Sequence, residues 1–135
     1  MIALEGISRA FAEGGRQRVV LDGFHEQVAA GERLALVGRS GVGKSTLLNL
    51  IAGIDVPDSG RVRINGTDLT ALGERERTLV RRYHVGFVFQ FFNLLPTLTV
   101  AENLLMPLEM TGQADAQGRA RARGLLDRVG LAERA

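Results

Sequence analysis

The stretch Gly38-Arg39-Ser40-Gly41-Val42-Gly43-Lys44-Ser45-Thr46 holds the densest chemistry in this chain. It fits the spacing G-x-x-x-x-G-K-[ST], with Gly38, Gly43, Lys44 and Ser45 at the specified positions. Glycines at 38, 41 and 43, with Ser40 among them, let the main chain wrap closely and turn successive N–H groups inward as an anion nest. A helix starting near Lys44 would point the positive end of its dipole at the same place. Lys44 would then reach the β and γ phosphates of a nucleotide and Ser45 would hold Mg²⁺, while Thr46 could touch the α phosphate.

Lys44 is also the only lysine: of the 17 Lys and Arg residues, every other one is Arg. A compact, flexible ammonium fits among phosphate oxygens where a wide planar guanidinium does not.

The loop needs a strand before it and a helix after it, and the neighbouring sequence supplies both patterns. Arg33-Leu-Ala-Leu-Val37 reads as a short buried parallel strand. From Lys44 to Ala52, Leu47, Leu48, Leu50 and Ile51 give a helix with a broad apolar face that ends at Gly53. Upstream, Ile2–Ser8 and Val19–Val28 read as strands around a glycine-containing hairpin turn. Downstream come a turn cluster in Asp55-Val-Pro-Asp-Ser-Gly60 and a short strand and turn in Arg61–Leu69. A charged helix, read as a solvated face, covers Gly73–Tyr83, and another buried strand covers His84–Gln90. Helices follow over about 100–110 and 115–129.

Composition narrows the class. One domain fits 135 residues, and 45 % hydrophobic with 24 % charged content is that of a globular protein. With no cysteine there are no disulfides and no thiolate metal sites. A formal net charge of +2 argues against nucleic acid as a partner. No apolar run reaches the roughly 18 residues of a transmembrane helix, and the N-terminus lacks the pattern of a signal peptide. His25 and His84 have no carboxylate or further histidine at metal-ligand spacing and carry no catalytic expectation.

Two separated blocks, "VGKSTLLNLIAGIDVPDSGRVRINGTDL" and "VGFVFQFFNLLPTLTVAENLLMPL", resemble the ATP-binding-cassette (ABC) transporter ATPases in content and in spacing. The latter block is most similar to the subgroup serving lipoprotein release and macrolide export. The resemblance implies an α/β fold: a P-loop ATPase core, an N-terminal antiparallel β subdomain and the start of a helical subdomain. Residues 1–32, 33–98 and 99–135 would be those parts of one partial domain. It implies ATP and Mg²⁺ as cofactors. It matches Gln90 to the glutamine that contacts Mg²⁺ and the attacking water, beside Lys44 as the other catalytic group. Phe11 matches the aromatic that stacks on adenine. Phe91, Phe92, Leu94 and Leu95 lie where that family receives a helix of its membrane subunit, although the run could equally pack internally. The implied partners are a membrane permease and another ATPase subunit, with the protein peripheral at the cytoplasmic face of the plasma membrane.

Three parts of that machinery have no match in these residues: an apolar strand ending in Asp-Glu, the LSGGQ-like signature and a late histidine. The resemblance therefore implies the N-terminal portion of such an ATPase, binding nucleotide without turnover. An alternative is a naturally short nucleotide-binding or regulatory module. A third possibility, on the same fold, is a role in DNA repair or translation.

Overall fold

The computed structural model describes residues 1–134, the side chain of Arg134 excepted. They form two compact units, the first of residues 1–87 and the other beginning at residue 88.

The first unit is built on a four-stranded antiparallel sheet of order β2-β1-β3-β4. Strands β1 (Ile2–Glu13) and β2 (Arg16–Val28) run longer than the sequence pattern predicts. Gly14 and Gly15 join them with φ of 56° and 78°, the paired positive values that a two-residue hairpin turn demands. The register shifts three times along this pair. At one shift Gly6 donates its N–H to Nδ1 of the exposed His25 at 3.2 Å. The short strands β3 (Ser59–Ile64) and β4 (Thr67–Asp68) close the sheet.

Helix α1 (Lys44–Ile51) lies on this sheet. Its Leu47 and Leu50 join Leu4, Ile7, Val62 and Ile64 in one buried cluster. The face is narrower than expected, since Leu48 stays 45 % exposed. Gly53, at φ 68°, ends the helix: its N–H reaches Leu50 O and that of Ile54 reaches Asn49 O. Helix α2 (Glu74–His84) is more than a solvated face. Arg81 donates to the carbonyl of Gly53 and, at 2.9 Å, to Glu74, so α2 braces the end of α1. His84 closes α2 rather than opening a strand.

Neither of the two predicted buried strands forms. Residues 33–38 belong to no strand, and Leu34 and Val37 are 58 % and 88 % exposed. Residues 85–90 are likewise irregular, with Val88 96 % exposed. An apolar run only favours a strand; the ladder itself needs a neighbour, and among the described residues the paired strands are β1 to β4 alone.

The other unit is a helix pair, α3 (Val100–Met110) and α4 (Ala116–Arg128). Thr99 and Glu102 cap α3 reciprocally: Thr99 N–H reaches the Glu102 carboxylate at 2.7 Å, and Glu102 N–H reaches Thr99 Oγ1 at 3.2 Å. Asn103 folds the preceding loop over this end, donating to the carbonyls of Leu95, Leu98 and Thr99 and accepting from Leu95 N–H. No helix among the described residues is long and apolar enough to cross a membrane.

Candidate nucleotide-binding site

Gly38 to Thr46 form the loop and first helical turn that the glycine spacing predicts. Gly41 and Gly43 take φ of 77° and 107°, and Gly43 is the N-cap of α1. A Cβ on Gly43 would stand 2.3 Å from Cγ1 of Val20, so β2 is a wall against which the loop turns. A Cβ on Gly38 would meet Val42 Cγ1 at 2.9 Å. Gly43 is therefore favoured by both conformation and space, whereas a side chain at 38 would have to displace only the exposed Val42 methyl.

The start of α1 is open for an anion. Its first helical hydrogen bond runs from Leu47 N–H to Gly43 O at 2.9 Å, so the N–H groups of Lys44, Ser45 and Thr46 precede the ladder. The N-cap is a glycine without a side-chain bond, and no acidic residue occupies the first turn. The positive end of the helix is thus uncompensated locally.

Lys44 folds back into its own loop. Its Nζ donates to the carbonyls of Gly38 and Arg39, each at 2.8 Å. The ammonium is held inside the turn by neutral acceptors, which a phosphate oxygen can replace with a stronger charge-assisted bond. Ser45 is exposed and Thr46 half-buried in the same turn, and Ser40 is exposed on the loop. No cluster of three or more His, Cys, Asp or Glu able to hold a metal occurs among the described residues. A lone hydroxyl such as Ser45 fits Mg²⁺ that is carried mostly by phosphate oxygens and water.

Phe11, on β1, is 39 % exposed and pairs across the hairpin with Arg18. Nη2 of Arg18 donates to the carbonyl of Gly41 at 2.8 Å. One strand pair and one hydrogen bond thus connect the Phe11 ring to the apex of the loop. Arg18 and Val20 escape a reading of the sequence because they are distant from the loop along the chain and become its neighbours only through β2.

The unit beginning at residue 88 carries Gln90, exposed at a bend. Phe91 and Phe92 follow at 77 % and 88 % exposure and present their rings outward, whereas Leu94 and Leu95, at 64 % and 46 %, line a cavity with Leu98, Val100, Leu104 and Leu126.

The chain is similar to known proteins over nearly its whole length. Residues 21–135 match the family model described as ABC transporter. An ABC transporter ATP-binding protein of Mycobacterium tuberculosis is 50 % identical over 134 residues, covering 99 % of this chain and 54 % of its own. The lipoprotein-releasing system ATP-binding protein LolD of Pseudomonas syringae pv. tomato is 46 % identical, covering 99 % and 59 %. Among solved structures, a dimeric ATP-binding cassette in a post-hydrolysis state with ADP and Pi has TM-score 0.87 and 35 % identity, covering 94 % of this chain and 56 % of that one. The chain thus spans a little over half the length of the relatives it matches. With this similarity running through the loop, the sheet and the helices alike, the chain belongs to the ABC transporter ATP-binding family, with the α/β fold of its cassettes.

Proposed function

We propose that this chain is the nucleotide-binding portion of a transport ATPase, taking MgATP at the loop of residues 38–46. The observation that carries this reading is the arrangement of Lys44: an ammonium held within a positive-φ glycine turn, at a helix N-terminus with no acid beside it.

Phosphate oxygens entering the turn take over Lys44 from the carbonyls of Gly38 and Arg39 and receive the N–H groups of the first turn of α1. The turn is preorganised because Gly43 is wedged against Val20 and Gly41 is tethered to Arg18. Phe11 offers its ring to the adenine. Ser45 supplies a hydroxyl ligand for Mg²⁺; Gln90, in the other unit, is matched to a Mg²⁺ and water contact by family resemblance alone. Mg²⁺ held at Ser45 would supply positive charge to offset that of the phosphates. Phosphoryl transfer to water depends on positioned charge and a polarising base, and these residues contain no apolar strand ending in Asp-Glu. The 135 residues by themselves therefore bind nucleotide with little turnover.

In the intact ATPase, another such subunit and a membrane permease complete the assembly at the cytoplasmic face of the plasma membrane. The outward Phe91 and Phe92, with Leu94 and Leu95 beside them, are the surface offered to the permease, and lipoprotein release or export is the coupled work. The dimeric cassette and the LolD relatives support this reading.

The test is MgATP titration of the chain by calorimetry, with phosphate release followed in parallel. The expected result is saturable binding by the wild type, no detectable binding by Lys44→Ala, and no sustained phosphate release. Unchanged affinity in Lys44→Ala removes the ammonium from the site, and steady hydrolysis by the 135 residues overturns the no-turnover reading.

A further inference from the structure

The Arg9 guanidinium is held by two aspartates. Its Nη1 donates to Asp58 Oδ1 at 2.6 Å, and its Nη2 donates to both carboxylate oxygens of Asp55 at 3.1 Å. Asp58 in turn accepts the N–H of Ala10 at 2.7 Å, and its own N–H reaches Ser8 O at 2.9 Å. Both aspartates belong to the loop between α1 and β3, so Arg9 ties β1 to the far end of the helix whose start forms the phosphate turn.

So placed, the guanidinium carbon stands over the Phe11 ring, 5.0 Å from its centroid. A planar cation on an aromatic face is attracted by the ring quadrupole, and here it is locked by two carboxylates rather than free to swing. One face of Phe11 is thereby occupied, while the residue as a whole remains 39 % exposed.

We propose that Arg9 is a positioning residue for the nucleotide base: fixed by Asp55 and Asp58, it covers one face of Phe11 and orients the ring so that the base stacks on the other. This rests on the reading of Phe11 as the base platform. Arg9 does not touch the nucleotide. It removes the ring's freedom to rotate, so less entropy is lost when the base arrives. It also restricts stacking to one side, which sets where the ribose and phosphates lie relative to the loop that Arg18 holds.

The experiment compares MgATP with Mg²⁺-tripolyphosphate, which has the phosphates and no base, on wild type, Arg9→Met, Phe11→Ala and the double variant. Arg9→Met is expected to weaken MgATP about two- to fivefold, in the lower range of the cost of immobilising one side chain on binding, and to leave tripolyphosphate unchanged. The double variant should bind MgATP as Phe11→Ala does, because without the ring Arg9 has nothing to position. Wild-type MgATP affinity in Arg9→Met, or losses that simply add in the double variant, overturns the proposal. If Phe11→Ala leaves MgATP unchanged while tripolyphosphate still binds, the platform reading itself fails and the role of Arg9 fails with it. Should Arg9→Met also lose tripolyphosphate, Arg9→Lys decides, since it keeps a cation for the aspartates without the planar fork. A loss confined to MgATP supports the proposal; no loss, or equal loss of both ligands, refutes it.

Discussion

Cγ1 of Val20 lies 2.3 Å from where a Cβ on Gly43 would sit, so a strand residue more than twenty positions earlier dictates glycine at the head of α1. Gly43 also has φ 107°, outside the range that side-chain-bearing residues adopt readily. Gly43→Ala therefore meets two obstacles, and the conformational one alone costs about 1–3 kcal/mol. The variant should melt lower than wild type and lose MgATP binding. Adding Val20→Ala frees the space without relieving φ, so it should recover part of the melting temperature but not all. Full recovery in the double variant would mean that crowding alone was at work.

Leu50 is 1 % exposed and Leu48, two residues away on the same helix, is 45 % exposed. Leu50→Ala should cost about 2–5 kcal/mol in denaturant unfolding, through lost transfer energy and the cavity left behind. Leu48→Ala should stay within about 0.5 kcal/mol. Equal losses at the two positions would mean that both faces of α1 are covered in solution.

Glu74 responds to pH through the arginines beside it. Hydrogen bonds from Arg77 and then Arg81 lower its carboxyl from 4.5 to about 2. A lowered value means that the stabilisation is complete above pH 4.5 and disappears as pH falls towards 2. The gap in melting temperature between wild type and Glu74→Gln should therefore be widest near neutral pH and narrow across that window. The carboxylate is surface-exposed and its effect is screened, so adding salt should also shrink the gap. A gap that is constant with pH would separate Glu74 from the bracing of α1 by Arg81.

Asn103 donates to three carbonyls of the loop before α3 and accepts one N–H from it. Asn103→Ala removes the side-chain partner of Leu98 O and of Leu95 N–H, at about 1–3 kcal/mol where water cannot reach them, while Leu95 O keeps the N–H of Leu98 and Thr99 O keeps the main-chain N–H of residue 103. Hydrogen exchange should speed up across residues 95–99 while the amides of the first unit keep their protection. Unchanged exchange in that loop would mean that the Thr99–Glu102 cap suffices to hold it.

The phosphate turn is legible in the sequence because its determinants are local. Glycine at 38, 41 and 43 and the apolar periodicity after Lys44 act within one turn of chain, and the structure forms the turn and α1 where they indicate. The same holds for the Gly14–Gly15 hairpin and for α3, whose bounds at Val100 and Met110 follow its periodicity. The predicted strands at 33–37 and 84–90 fail for the complementary reason. Apolar content measures suitability for a sheet, whereas a ladder depends on which chain lies alongside, and β1 to β4 pair among themselves. Contacts between distant positions are likewise beyond reach: Val20 against Gly43, Arg18 on Gly41, Arg81 on Gly53, and Arg9 clamped by Asp55 and Asp58 over Phe11. The sequence by itself determined which residues make the cradle, because φ preferences and helix periodicity are properties of neighbours along the chain. Only the tertiary structure decided what walls, tethers and clamps that cradle, because those contacts exist once β1, β2 and α1 have packed.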